Sequence, residues 1–157
     1  MNTKRASLIR PYETRDLQQA VDIWFGSWTA TFPWLAPPWP HEGWRSRFEA
    51  KLAEGATVFI AEESGQVVGF ALLFENIGRL DQLFVRPDAQ RRGIGTALLN
   101  LTKARCPRGL HLDTQQANIG ARRFYERHGF RSGREGINKV NGQPNVEYVW
   151  APLGPPP

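Results

Sequence analysis

Apolar positions recur along this chain with two periods. Ser7 to Pro11 reads as a short strand. From Glu13 to Phe25, Leu17, Ala20, Val21, Trp24 and Phe25 follow the one-face spacing of a helix, with Thr14 or Asp16 placed to cap its start. A second helix is expected over 42–53. The β-branched run "TVFIAE" (57–62), the turn "ESGQ" and the apolar run "VVGFALLFE" (67–75) predict a hairpin. "LDQLFV" (80–85) predicts another strand. Alternation along it would put Asp81, Leu83 and Val85 on one face and Leu80, Gln82 and Phe84 on the other. Ile94, Ala97, Leu98 and Leu101 form a helical stripe that ends near Cys106-Pro107, and "GLHLDT" (109–114) reads as a strand. A helix opening at Asn118 carries Ala121, Phe124, Tyr125 and His128 on one face and stops at Gly129. Asn141-Gly142 signals a hairpin between two closing strands.

This order mixes hairpins with strand–helix–strand crossovers. It predicts an α/β (α+β layered) domain with a mixed, mostly antiparallel sheet of six to seven strands flanked by about four helices. One domain is expected over 1–153, with a disordered tail at 154–157. The stretch "WFGSWTATFPWLAPPWPHEGW" (24–44) holds five of the 6 tryptophans and four of the 12 prolines. Its prolines at 37, 38 and 40 break any continuous helix. Its aromatics either pack the ends of two helices or wall a substrate pocket, with Trp28, Phe32 and Trp34 as the pocket candidates.

Composition narrows the class. At 157 residues, 41% apolar and 22% charged, the chain has the make-up of a globular domain. A single cysteine, Cys106, excludes an internal disulfide and fits a reducing compartment. No apolar run reaches the roughly 20 residues of a membrane span, so a cytoplasmic protein with no membrane partner is expected. The net charge of +5 favours an anionic partner, either nucleic acid or a phosphorylated cofactor.

The segment "VRPDAQRRGIGTALL" (85–99) says more. Exposed amides at a helix start attract anions, and glycines let phosphate oxygens approach the backbone. Gly93 and Gly95 supply that entry, with Gln90, Arg91, Arg92, Ile94 and Thr96 around it. The pattern is neither a P-loop nor a dinucleotide fingerprint. "LDQLFVRPDAQRRGIGTALL" resembles the acetyl-CoA-binding segment of the GNAT (GCN5-related N-acetyltransferase) superfamily, whose Q/R-x-x-G-x-G/A pattern is matched at Gln90, Gly93 and Gly95. "LDTQQANIGARRFYERHGFR" (112–131) resembles the same family's second conserved region.

The resemblance implies that the strands before and after the loop's helix splay apart to hold a pantetheine arm. Leu83, Phe84 and Val85 would line the arm, the amides of 91–96 would hold the pyrophosphate, and Asn118 would contact the arm or the phosphates. Arg91 and Arg92 would add a salt-sensitive attraction. It makes Tyr125 the general acid; seven residues beyond Asn118, it lies two turns along the same helix face. A phenol of pKa about 10 can donate to a leaving thiolate. Asp81 and Glu75 are candidates for the group that relieves the attacking amine of its proton, with His111 a weaker one. The implied co-substrate is acetyl-CoA, with no metal, and the implied acceptor a small-molecule or peptide amine. A homodimer is common in the superfamily. Two other readings carry different chemistry: a catalytically silent acyl-CoA sensor, and a basic nucleic-acid-binding module built on Arg122, Arg123 and Arg127. The absence of any nucleic-acid motif argues against the second.

Overall fold

A computed structural model of the chain describes residues 7–152; the 154–157 tail lies outside them. The elements run β1 (Ser7–Pro11), α1 (Leu17–Thr31), α2 (His41–Ala53), β2 (Thr57–Glu63), β3 (Gln66–Phe74), β4 (Arg79–Val85), α3 (Ile94–Arg105), β5 (Leu110–Gln115), α4 (Ile119–Arg127), β6 (Arg131–Ile137) and β7 (Pro144–Trp150). Among the described residues the seven strands form one sheet in the order β1-β2-β3-β4-β5-β7-β6. Each neighbouring pair is antiparallel except β4 and β5. The sheet is the mixed, mostly antiparallel one that the sequence predicts.

The sheet buries apolar side chains on both faces. On one, Leu98 and Leu99 of α3 and Tyr125 of α4 pack with Ala71, Leu73, Leu80 and Leu112. On the other, Val21 and Trp24 of α1 and Trp44 and Phe48 of α2 pack with Ile60, Phe70 and Leu72. Strands buried on both faces read as continuous apolar runs, which is what "VVGFALLFE" is.

The parallel pair β4–β5 is nearly unpaired. Its register has one match, Arg79 with His111, beside a bond from the His111 N–H to the Gly78 carbonyl at 2.9 Å. The two backbones touch just there. A Cβ on Gly78 would lie 2.8 Å from the Gly109 carbonyl oxygen, and one on Gly109 2.8 Å from that of Trp150. Gly78 also sits at φ +64°, a left-handed conformation that suits glycine. These glycines pin the strands at their N-terminal ends. Beyond the pin the strands pair no further, and each runs on toward a helix start.

Three local features differ from the sequence expectation. The first helix begins as a 3-10 turn at Thr14–Asp16 and runs on to Thr31, because Ser27 and Trp28 continue its buried face past Phe25. Asp16 does not cap α1 with its side chain; it closes a capping box with Glu13, accepting the Glu13 N–H at 2.7 Å. On β4 the simple alternation fails. Leu72 pairs with Gln82 but Leu73 pairs with Leu80, so Asp81 is the extra residue of a β-bulge. The bulge turns Asp81 away from Leu83 and toward α2, where Lys51 Nζ meets it at 2.8 Å.

Two predictions follow from this frame. Asp16 is 2% exposed and takes two bonds of 2.8 Å from Arg10, which also reaches Glu62 of β2 at 2.6 Å. The Arg10 bonds outweigh burial and hold the Asp16 carboxyl below its ordinary range. With the folded-state pKa below the unfolded one, this stabilisation is complete above the unfolded pKa of about 3.9 and is lost as pH falls through the folded value. Asp16→Asn should cost about 2 kcal/mol at pH 7 in urea unfolding and flatten the acid limb of the stability profile. Gly78→Ala, forced against the Gly109 carbonyl at positive φ, should cost about 2 kcal/mol or more, measured the same way.

Candidate active site

The segment between β4 and α3 is built from its own hydrogen bonds. Gln90 Nε2 donates to the Val85 carbonyl at 3.0 Å, and Arg91 takes φ +65°, uncommon for a residue with a side chain. Gly93, at φ +81° with open space where a Cβ would stand, is the N-cap of α3. No side chain caps this helix, and its first turn holds no acidic residue. Its first amides therefore carry the positive end of the helix dipole with no built-in partner. By contrast, Asn118 Oδ1 caps α4 by accepting the Ala121 N–H at 3.1 Å.

Arg91 and Arg92 differ in role. Arg91 is exposed at the loop. Arg92 donates to Glu63 at 2.8 and 3.2 Å and to the Asp88 carbonyl at 2.7 Å, and Glu63 is 5% exposed. Arg92 therefore clamps the loop to the end of β2, sharing its half-exposed guanidinium with Glu63, whereas Arg91 has no such partner among the described residues. Thr96 and Gly95 join α3 to α4. His128 Nδ1 lies 2.7 Å from the Phe124 carbonyl, which can only accept, so that nitrogen carries a proton. In the neutral ring Nε2 is then the acceptor, and Thr96 donates to it at 3.0 Å. A Cβ on Gly95 would meet the Phe124 ring at 3.6 Å, an ordinary contact that explains why either Gly or Ala would serve there. Ile94 is buried, so only its amide faces the loop.

Between the parting strands lies a narrow slot of about 80 Å³. Leu83 and Phe84 line it from β4, Leu112 and Thr114 from β5, and Asn118, Ala121 and Tyr125 from the α4 side. Val85 is absent from this lining; it packs in the core and offers its carbonyl to Gln90. Tyr125 is buried among Phe124, Phe130 and Tyr148, with ring centroids 5.2, 5.3 and 6.2 Å away. Burial alone raises its phenol above the ordinary tyrosine range, so the hydroxyl stays a proton donor throughout the physiological range.

The slot opens into a larger cavity of about 570 Å³, and Asp81, Gln82, Phe84, Asp113, Thr114 and Asn118 line both. One wall of the larger cavity is aromatic: Trp24, Trp28 and Phe32 of α1 and its end, Trp39 of the connecting loop and Trp44 of α2. The β6–β7 hairpin, residues 137–141, forms the other wall. Trp24, Trp28 and Trp44 thus do both things that the sequence allowed, since each is buried in the core and also faces the cavity. Trp34 does not line it: 65% exposed, it stacks edge-on against Phe32 at 5.8 Å.

The carboxylate candidates separate. Asp81 reaches the junction, held by Lys51 at 2.8 Å and Arg79 at 3.2 Å. Glu75 lines neither cavity; it binds Arg105 and Thr57, and the Arg105 hydrogen bond lowers its pKa against the effect of burial. His111 is at the pinned end of β5 and also lines neither cavity. Sequence reasoning missed Asp113, bonded to Arg79 at 3.1 Å, and Gln82, Lys51 and Arg47. Asp113 is one register step from Thr114 on a strand that was recognised, so a search of β5 for carboxylates would have found it. Of the basic cluster on α4, Arg122 is occupied by the Tyr148 hydroxyl and the Gln116 carbonyl, both at 3.1 Å, which takes one phosphate contact from the nucleic-acid reading.

Splayed strands, a glycine-opened helix start and a buried tyrosine at the slot define an acyltransferase-like architecture, and comparison with known proteins agrees. The model of the Acetyltransferase (GNAT) family matches residues 17–130, and the chain belongs to that family. It is an N-acetyltransferase. The protein named uncharacterized N-acetyltransferase YafP of Escherichia coli K12 is 34% identical over 132 residues, 81% of this chain and 83% of that one. The peptidyl-lysine N-acetyltransferase YiaC of the same organism is 34% identical over 128 residues, 78% of this chain and 82% of its own length. Among solved structures, YncA of Salmonella typhimurium with its cofactor acetyl-CoA shares the fold, with TM-score 0.71 at 17% identity over 97% of both chains. Among the described residues no helix is long and apolar enough to cross a membrane.

The loop geometry makes the two arginines separable. Arg91→Gln should leave thermal stability unchanged and weaken coenzyme A binding by a factor that shrinks at high salt. Arg92→Gln should strand the Glu63 carboxylate and cost about 2 kcal/mol of stability. Calorimetric titration at two salt concentrations, with a thermal melt of each variant, reads both.

Proposed function

We propose that the protein transfers the acetyl group of acetyl-CoA to a primary amine of a small molecule or peptide, by direct attack within a ternary complex. The observation that carries this reading is the junction: a slot lined by Tyr125, between two strands of which one leads on to the uncapped start of α3, opens into a second, larger cavity. One opening suits a long phosphorylated thioester and the other a separate acceptor. The printed names of YiaC and YjaB, peptidyl-lysine N-acetyltransferases, supply an amine acceptor by analogy.

In this reading the amides of 91–96 hold the pyrophosphate and Arg91 adds attraction from outside. The pantetheine arm runs along Leu83 and Phe84, where β4 leaves backbone groups unpaired, and Asn118 offers its remaining amide N–H groups to the arm. The amine nitrogen attacks the thioester carbonyl carbon, forming a C–N bond. The C–S bond then breaks, and the electron pair leaves on sulfur. Tyr125 stabilises that thiolate by hydrogen bonding and delivers a proton, which it regains as the attacking nitrogen gives up its second proton to leave a neutral amide. A free alkylamine has pKa about 10, so one proton must leave before attack. Asp81, at the junction, orients the ammonium and receives that proton directly or through water, while Glu75 takes no part. Trp28 and Phe32 pack against the body of the acceptor.

Acetyl-CoA at 100 times its dissociation constant should stabilise the protein by about 2.7 kcal/mol in a thermal melt. Thiol release should require an amine. Tyr125→Phe should lower kcat by roughly ten- to a hundredfold while KM for acetyl-CoA stays within about threefold. An unaltered kcat removes Tyr125 from the chemistry. Stabilisation without thiol release across a broad amine panel identifies an acyl-CoA sensor instead.

A further inference from the structure

The larger cavity holds more positive charge than its own carboxylates neutralise. Arg47, Lys51, Arg79 and Lys139 line it against Asp81 and Asp113. Both carboxylates are engaged at the inner end: Asp81 by Lys51 and Arg79, Asp113 by Arg79. Arg47 and Lys139 form no ion pair among the described residues. They stand on different walls, Arg47 on α2 and Lys139 on the hairpin.

Arg47 is also set in place. Its guanidinium carbon lies 4.5 Å from the centroid of the Trp39 ring. That contact holds a long side chain against the aromatic wall and leaves N–H edges free for a planar anion. The inner end of the same cavity, beside the slot, is where the carboxylates are. The lining therefore groups by chemistry: Asp81 and Asp113, shared with Lys51 and Arg79, at the junction; the aromatic wall; and Arg47 and Lys139, which have no ion-pair partner among the described residues. A volume of about 570 Å³ is that of a small-molecule site.

We infer that the acceptor is a small amphipathic primary amine with an apolar body and, at the end remote from its nitrogen, an anionic group, carboxylate or phosphate, that binds Arg47 with Lys139 opposite. The inference rests on reading this cavity as the acceptor site. It distinguishes this chain's acceptor from a lysine in a basic protein segment, whose flanking charges Arg47 and Lys139 would repel.

The test compares 4-(aminomethyl)phenylacetate and 4-(aminomethyl)benzylphosphonate with the neutral 4-(aminomethyl)phenylacetamide, and with a lysine in an acidic and in a basic peptide. Thiol release from acetyl-CoA is the readout. One or both anionic amines should exceed the amide in kcat/KM by about tenfold, the effect of one charge-assisted contact. That ratio should fall toward one in Arg47→Gln, drop less in Lys139→Gln, and be partly restored in Arg47→Lys. Which of the two anions leads tells carboxylate from phosphate. An amide as good as both acids, or a preference unchanged in both glutamine variants, overturns the inference while leaving acetyl transfer intact. Faster turnover of either peptide overturns the small-molecule assignment. If no amine releases thiol, thermal melts with 4-methylphenylacetate and 4-methylbenzylphosphonate, which lack the amine, decide the matter. Arg47-dependent stabilisation keeps anion recognition although the transferase reading has failed; no stabilisation overturns both.

Discussion

One contact shapes the active site: the backbone of Gly78 meets the Gly109 carbonyl so closely that Gly78 has no room for a Cβ, while Gly109 fits as tightly against the Trp150 carbonyl of β7. That contact fixes β4 and β5 together at one end with a single register match. A parallel pair ordinarily satisfies its N–H and C=O groups along its whole length. Here the pairing stops after one step, and the sheet is left with unpaired backbone along the walls of a slot. The cost is met by the rest of the sheet, since β4 remains paired with β3 and β5 with β7. Ligands of open α/β sheets collect where neighbouring strands diverge at their C-terminal ends. In this protein those ends also lead into the two helices that supply the loop amides, Asn118 and Tyr125.

Around that opening, charge is divided between structure and recognition. Arg92, Arg79, Arg122 and Arg10 are each bonded within the fold, to Glu63, to Asp81 and Asp113, to Tyr148, and to Asp16 and Glu62. They brace the loop, the junction, the tyrosine's neighbour and the start of α1. The net positive charge of the chain therefore overstates the charge free to meet a ligand. Left for recognition are Arg91, exposed beside the start of α3, and Arg47 and Lys139 in the larger cavity. Backbone amides at Gly93 and beyond, which need no side chain, complete the anion-binding surface.

Much of this was legible in the residues. Strand and helix order followed from apolar period, because the runs at 57–62, 67–75 and 80–85 are buried by the same sheet that they build. The helix-start loop was legible because glycines at 93 and 95 leave a local signature. Features that depend on partners distant in sequence were not. The face taken by Asp81 is set by a register shift opposite Leu72 and Leu73, which no single strand reveals. The commitment of Arg92 depends on Glu63, 29 residues away. Glu75 looked close to the chemistry because it ends the apolar run that forms β3, yet it follows the strand and is bound by Arg105 and Thr57 outside both cavities. Trp34 shares the composition of its neighbours but sits one step outside their buried stripe.

The most direct measurement is a crystal structure of the protein grown with acetyl-CoA. The account predicts diphosphate oxygens within about 3 Å of the amide nitrogens of 91–96, and the thioester sulfur within hydrogen-bond reach of the Tyr125 hydroxyl, with the pantetheine between β4 and β5. A cofactor bound elsewhere, or a complex in which β4 and β5 close into a continuous ladder and the α3 amides stay free of phosphate, would contradict it.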